Sequence, residues 1–156
     1  MQRIDVDDVE SGGMGDADRR GLSNALETDD MSINHYALEP GDAFSGGLHT
    51  HLDQEEIFYI VSGTATFETK PEPDAESETV EVGAGEAIRF PPGEFQQGRN
   101  ESDDEVVALA LGAPRDSTDV RVAQPCPECE SDVLAFRMGD DGMYLECPDC
   151  GTTVEM

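Results

Sequence analysis

Short apolar runs, each closed by Gly or Pro, limit what this chain can fold into. Strand-like alternation runs from Ser32 to Leu38 and stops at Pro40-Gly41. Leu48–Leu52, Ile57–Val61, Thr64–Thr69, Thr79–Val82, Ala87–Phe90, Phe95–Arg99 and Val106–Leu111 follow, broken at Gly63, Pro71–Glu78, Gly83-Ala84-Gly85 and Pro91-Pro92-Gly93. No run carries a helical period. Many short strands between turn residues make a sandwich or a barrel. Residues 31–113 are therefore expected to form one all-β barrel. Residues 1–30, rich in Gly and acids, are expected as a loose arm with one helical turn near Leu22, Ala25 and Leu26. Residues 114–124, with Pro114, are expected as a linker, and 125–156 as a second, small module.

Charge narrows the partners. The 156 residues hold 36 Asp and Glu against nine Lys and Arg, a formal net charge of −27. Such acidity commonly signals disorder, but the recurring apolar runs argue against that here. Adaptation to high salt fits better, because at about 1 M salt the Debye length is only ~3 Å and surface repulsion is screened. A halophilic source is expected on this ground. A surface this negative repels phosphate backbones and anionic lipid, which argues against nucleic-acid and membrane partners. No apolar segment approaches a membrane span, and the N-terminus lacks an apolar signal core. A cytoplasmic protein is expected. Arg19-Arg20 has no apolar run behind it and is expected to be a solvated pair.

The barrel segment carries a histidine pair, His49-Thr50-His51. Alternate residues of a strand face the same side, so both imidazoles point one way. Glu56 follows on the next run, with six residues between it and Gly63; Glu55, its rival, has the opposite strand parity. Further on, Gly85, Pro91, Gly93, Gln96 and Asn100 follow one another as Gly-x5-Pro-x-Gly-x2-Gln-x3-Asn. Two imidazoles and one carboxylate suit a divalent first-row metal.

In these two groups the chain resembles the cupin superfamily over residues 32–112. The first cupin motif is matched by His49, His51, Glu56 and Gly63, and the second by Gly85, Pro91, Gly93 and Asn100. Ala43 stands where the family has a glycine, and Gln96 where it has its last histidine ligand. The resemblance implies a double-stranded β-helix, or jelly-roll, barrel and a homodimer. It also implies Fe, Mn, Ni or Zn held by His49, His51 and Glu56 and open to a small-molecule ligand. Gln96 is either a neutral oxygen donor or a hydrogen-bonding neighbour, and it cannot serve as a base. Dioxygenase or isomerase chemistry would fit. The alternative is a non-enzymatic module holding a metal or small ligand, with the C-terminal module presented to a protein partner.

Phe44, Phe58, Phe67, Phe90 and Phe95 are candidate walls of that ligand pocket, with plain core packing as their other role. His35 stands alone in its strand. Arg89 and Arg99 lie in barrel strands and are expected in surface ion pairs, with contact to an anionic substrate as the other reading.

Cys126-Pro-Glu-Cys129 and Cys147-Pro-Asp-Cys150 are two Cys-x2-Cys knuckles. Between them lie two short apolar runs, Val133–Arg137 and Met143–Leu145, around a turn at Gly139-Asp140-Asp141-Gly142. Four thiolates so spaced suit tetrahedral Zn²⁺ with Zn–S near ~2.3 Å. A cytoplasmic setting disfavours two disulfides, and a rubredoxin-like iron site is the other competitor. The module resembles a zinc ribbon. Its protein ligands fill all four positions, so the zinc is structural and supplies folding energy that so short a segment lacks. Eight acids against Arg137 alone make nucleic-acid binding by this module improbable.

Overall fold

The computed structural model describes residues 1–12, 17–139 and 142–156. After a 3-10 turn at Val6–Asp8, the elements are β1 (Asp18–Gly21), α1 (Ser23–Leu26), β2 (Ser32–Leu38), β3 (His49–His51), β4 (Glu55–Ser62) and β5 (Thr64–Lys70). They continue as β6 (Glu78–Gly83), β7 (Ala87–Phe90), β8 (Phe95–Arg99), β9 (Val106–Ala113) and β10 (Val120–Val122), and end with β11 (Leu134–Gly139), β12 (Gly142–Glu146) and β13 (Thr153–Glu155). No helix among the described residues is long and apolar enough to cross a membrane.

Two antiparallel sheets face each other. One has the order β1-β2-β9-β4-β7 and the other β13-β12-β11-β10-β3-β8-β5-β6. The fold is nearly all β, a double-stranded β-helix barrel extended by a four-cysteine module compatible with a zinc ribbon.

Alternation builds the core. Along β9 every second residue is buried, from Val106 through Ala108 and Ala110. These meet Leu38, Ile60 and Phe67, each at 0% exposure. Phe44, Phe58 and Phe67 pack ring against ring with centroids 5.0–5.6 Å apart. Truncating so buried an aromatic costs about 3–5 kcal/mol.

The turn residues are shaped for their places. Gly63 has φ of +78°, and a Cβ there would stand 2.5 Å from the Glu105 carbonyl oxygen. Asn100 is fully buried; its Nδ2 donates to the Leu38 and Asp104 carbonyls, both at 2.8 Å, and pins the turn before β9.

Three segments differ from the sequence expectation. Part of the expected arm, Asp18–Gly21, is an edge strand paired with β2. Part of the expected linker, Val120–Val122, is a strand joined to β3 on one side and β11 on the other. A third strand, Thr153–Glu155, closes the C-terminal module. Each gains its hydrogen bonds from an existing strand, so little apolar pattern of its own is needed. Asp140 and Asp141, expected in the β11–β12 turn, lie outside the described residues.

Candidate metal centre

The histidine strand β3 lies between β8 and β10. His49 is paired with Gln96 on one side and Val122 on the other, and His51 with Val120. Directly paired residues share a sheet face, so both imidazoles and the Gln96 amide project to the same side. Glu56 reaches them from β4 of the opposing sheet.

Ligand atoms of His49, His51 and Glu56 all lie within 4.8 Å of one another. His51 Nε2 is 3.8 Å from Glu56 Oε2. Gln96 Nε2 donates to Glu56 Oε2 at 3.0 Å and is 3.4 Å from His49 Nε2, while Gln96 Oε1 is buried without a partner.

Both imidazoles have their far nitrogens tied. His49 Nδ1 is 2.9 Å from the Gly47 carbonyl oxygen, which can only accept. His51 Nδ1 is 2.9 Å from Ser117 Oγ, whose own proton goes to Asp53 Oδ1 at 2.6 Å. The Nδ1 atoms therefore carry the hydrogens, and the Nε2 lone pairs are left toward the cluster.

The site is largely shielded from solvent, with the His51 and Glu56 side chains 19% and 18% exposed. Burial lowers the His49 pKa against the pull of the Gly47 carbonyl. Burial, with the neighbouring His49, takes His51 down to about 4, against the Asp53 charge. Burial pushes Glu56 up to about 7, with Arg19 working in the other direction. Burial would also raise Asp53, but hydrogen bonds from Ser117 and Thr118 hold it at about 2. Two neutral imidazoles, a carboxyl that resists ionising alone and an orphaned amide oxygen form a donor set that a divalent cation would satisfy.

Arg19 was expected in solvent, and the structure places it here. It stands opposite Tyr36 in the β1–β2 register, so the two share the cavity face, while Arg20 and His35 form the next pair on the outer face. Arg19 Nη2 donates to Asn34 Oδ1 at 2.9 Å, and its Nε is buried with no partner. Arg20 is held outside by Asp18 at 3.1 Å. Burial raises the Tyr36 pKa, with the Arg19 charge opposing. Arg89 pairs with Glu55 at 2.6 Å, and Arg99 donates to Gln97 at 2.7 Å.

These groups open into a cavity of about 850 Å³. Phe44 and Phe58 line it; Phe67, Phe90 and Phe95, expected there too, do not. Phe67 and Phe90 are taken up by ring packing in the core, with centroids 5.6 Å apart. Phe95 has the opposite strand parity to Gln96. Sequence reasoning missed Arg19, Asn34, Tyr36 and Ser117; of these, only Tyr36 and Asn34 carried a signal, as alternate positions of a recognised strand.

The sequence pattern of the Cupin domain family matches residues 34–112. The chain is a cupin. No curated protein matches the sequence. Solved structures do match this cupin in fold. One is a sugar phosphate isomerase of the cupin superfamily from Silicibacter pomeroyi, at 18% identity and a TM-score of 0.68, covering 96% of this chain and 94% of that one. A putative sugar phosphate isomerase from Acidithiobacillus ferrooxidans matches at 18% identity and a TM-score of 0.62, covering 90% and 76%. Bacillus subtilis oxalate decarboxylase, a protein with Mn(II) centres, matches at 19% identity and a TM-score of 0.61, over 75% of this chain and 30% of that one.

The second candidate centre is the C-terminal cluster. Cys126, Cys129, Cys147 and Cys150 lie with their sulfurs within 4.8 Å of one another, and none is in a disulfide. Cys126 Sγ is 3.6 Å from Cys150 Sγ, and Cys129 Sγ is 3.5 Å from Cys147 Sγ. Sulfurs on a tetrahedral zinc stand ~3.8 Å apart, given Zn–S of ~2.3 Å. The two knuckles repeat one bond pattern: Cys126 N–H donates to Ser131 O and Cys147 N–H to Thr152 O, both at 2.8 Å. Burial opposes ionisation of Cys147, yet the Cys150 and Asp149 N–H groups bring it to about 6. The Ser131 N–H favours the Cys129 thiolate, but neighbouring thiols push it up to about 12. Four thiols so close cannot all ionise without a cation among them.

Proposed function

We propose that this cupin is a divalent-metal enzyme acting on a small anionic hydroxy or oxo compound, by exchange of a proton with solvent water beside a carbonyl, as an isomerase does. The observation that carries this reading is the convergence of the His49 and His51 Nε2 atoms with Glu56 on one point of a cavity that also holds Arg19. His49, His51 and Glu56 would hold an Fe, Mn, Ni or Zn ion. Gln96 would turn its amide so that the orphaned Oε1 joins them, since the two amide ends are interchangeable in shape. The metal would supply Lewis-acid polarisation of a carbonyl oxygen. Arg19, held by Asn34, would receive the anionic group of the substrate. Tyr36 stays protonated at neutral pH, so it would give a proton rather than take one. The two isomerases and the oxalate decarboxylase of similar fold support the general class. In the C-terminal module the four cysteines would hold Zn²⁺.

Elemental analysis of protein purified in molar salt tests the metal. Two metals per chain are expected, falling to one in His51→Ala; a single zinc, unchanged by that substitution, removes the barrel site. Exchange of carbon-bound hydrogen in D₂O, followed by NMR across hydroxy acids, oxo acids and sugar phosphates, tests the chemistry.

A non-enzymatic binder is the second reading. Among the described residues lining the cavity, only Tyr36 and Glu155 have titratable side chains besides the metal set and two arginines. Metal and ligand bound with no exchange of hydrogen would decide for the binder.

A further inference from the structure

The face of the sheet that carries the metal ligands does not stop at the barrel. His49 is paired with Val122, and Val122 with Leu134 of β11. Two residues on, Phe136 is paired with Leu145 of β12, and Leu145 with Val154 of β13. Directly paired residues and their i+2 neighbours share one face. A row of apolar side chains therefore continues the surface that begins at Gln96 and His49. Val120, Val122, Phe136, Met143, Leu145 and Val154 line the same cavity as His49, His51 and Glu56.

The cavity thus has two ends of unlike chemistry. One end holds the ligand set and Arg19, and the other is mostly apolar, with Gln124 and Glu155 as its polar members. Its volume of about 850 Å³ lies high in the ~300–1,000 Å³ range of pockets that enclose a drug-sized molecule. A bare phosphosugar would leave the apolar end filled with water.

We propose that the four-cysteine module is the second wall of the ligand cavity and that it binds an apolar body of the substrate, aryl or branched alkyl. The oxyanion-bearing head of that molecule sits at His49, His51, Glu56 and Arg19. The proposal rests on the reading of the barrel cluster as a metal site. It gives the C-terminal module a role in specificity, where the sequence alone suggested a partner-binding appendage. It also separates the substrate from the phosphosugars named for the isomerases of similar fold.

The test uses the full chain in molar salt, zinc-replete and loaded with Mn²⁺, titrated calorimetrically with pyruvate and with phenylpyruvate. The two probes share a head and differ in the apolar body. Phenylpyruvate is expected to bind at least tenfold more tightly. Phe136→Ala should erase that advantage and Met143→Ser should cut it about threefold, both leaving pyruvate affinity within twofold of the parent. Phe136 packs against the cysteine core, so loss of zinc in its variant would signal unfolding. Met143, 41% exposed on the rim, then decides. Equal binding of the two probes, an advantage untouched by Met143→Ser, or binding of neither probe to the Mn²⁺-loaded protein overturns the proposal. A chain that takes up no barrel metal overturns the reading beneath it, and metal analysis distinguishes that failure from the others.

Discussion

His51 donates through Nδ1 to the Ser117 hydroxyl at 2.9 Å, across 66 residues of sequence. Ser117 has one proton, and it goes to Asp53, a carboxylate held at about 2. The serine oxygen must therefore accept from His51, which leaves Nε2 unprotonated for the metal. Removing this bond in Ser117→Ala should lower barrel metal affinity about 10–100-fold, the usual cost of losing such an orienting partner. Competition with a calibrated chelator measures it, and the cysteine-bound zinc should not change. An unchanged barrel affinity would mean that packing alone orients the ring.

Proton competition at the barrel site should be dominated by Glu56. Its pKa of about 7 lies well above the value of about 4 for His51. From pH 5 to 7, metal binding must displace the Glu56 proton, so affinity should rise about tenfold per pH unit and level off above 7. Calorimetry in buffers of different ionisation enthalpy should count about one proton released at pH 6 and few at pH 8. Without metal, Glu56 acts on stability in the opposite sense. Its folded pKa is raised from 4.5, so its stabilising contribution is complete below 4.5 and is lost as pH rises through 7. His51, lowered from 6.5 to about 4, contributes above 6.5 and loses that contribution as pH falls through 4. The gap in melting temperature between metal-bound and metal-free protein should widen from pH 6.5 to 8.

Arg19 restrains the rise of the Glu56 pKa. In Arg19→Gln that pKa should climb above 7, and the pH profile of metal uptake should move up with it. The same substitution should weaken binding of anionic probes while leaving neutral ones unaffected. A pH profile that stays in place would show that Arg19 acts on the ligand alone.

Gly98 sits where two aromatic rings leave no room. A Cβ there would lie 2.5 Å from Phe67 Cε1 and 2.6 Å from Phe44 Cδ2. Gly98→Ala should cost about 1–3 kcal/mol by overpacking, read from urea unfolding in molar salt. The loss should be smaller in Gly98→Ala combined with Phe67→Leu, because the shorter side chain gives the methyl space.

Salt dependence tests the reading of the charge. With a net charge of −27, the melting temperature should fall as salt drops from molar to dilute. Equal melting temperatures at both ends would leave the acidity without a stabilising role for salt.

The barrel was legible because its strands advertise themselves. Gly and Pro close each run, and alternation places Val106, Ala108 and Ala110 inward. The metal candidates were legible for the same reason: parity puts His49 with His51 and separates Glu56 from Glu55. The shortest strands were not legible. Asp-Arg-Arg-Gly holds no alternation, Val-Arg-Val is too short to display one, and both are strands because neighbours supply the hydrogen bonds. Arg19 could not be told from Arg20 without the register that sets one facing Tyr36 and the other His35. The aromatics were recognised as inward, but which of them reach the cavity depends on depth along the strand, and composition carries no depth.

β3 is three residues long and borrows both its edges. One comes from β8, and the other from β10, whose Val122 is bonded opposite His49. During synthesis the two histidines emerge long before either neighbour. Ser117, which sets the His51 tautomer, and the strand that flanks it are among the last parts of the barrel to be made. The strand that carries the candidate ligands is thus completed only when the C-terminal third of the chain has come back to it. An ion offered earlier would meet two flexible imidazoles and no Glu56 held in place. The candidate site is fully assembled only once the cavity has both of its walls.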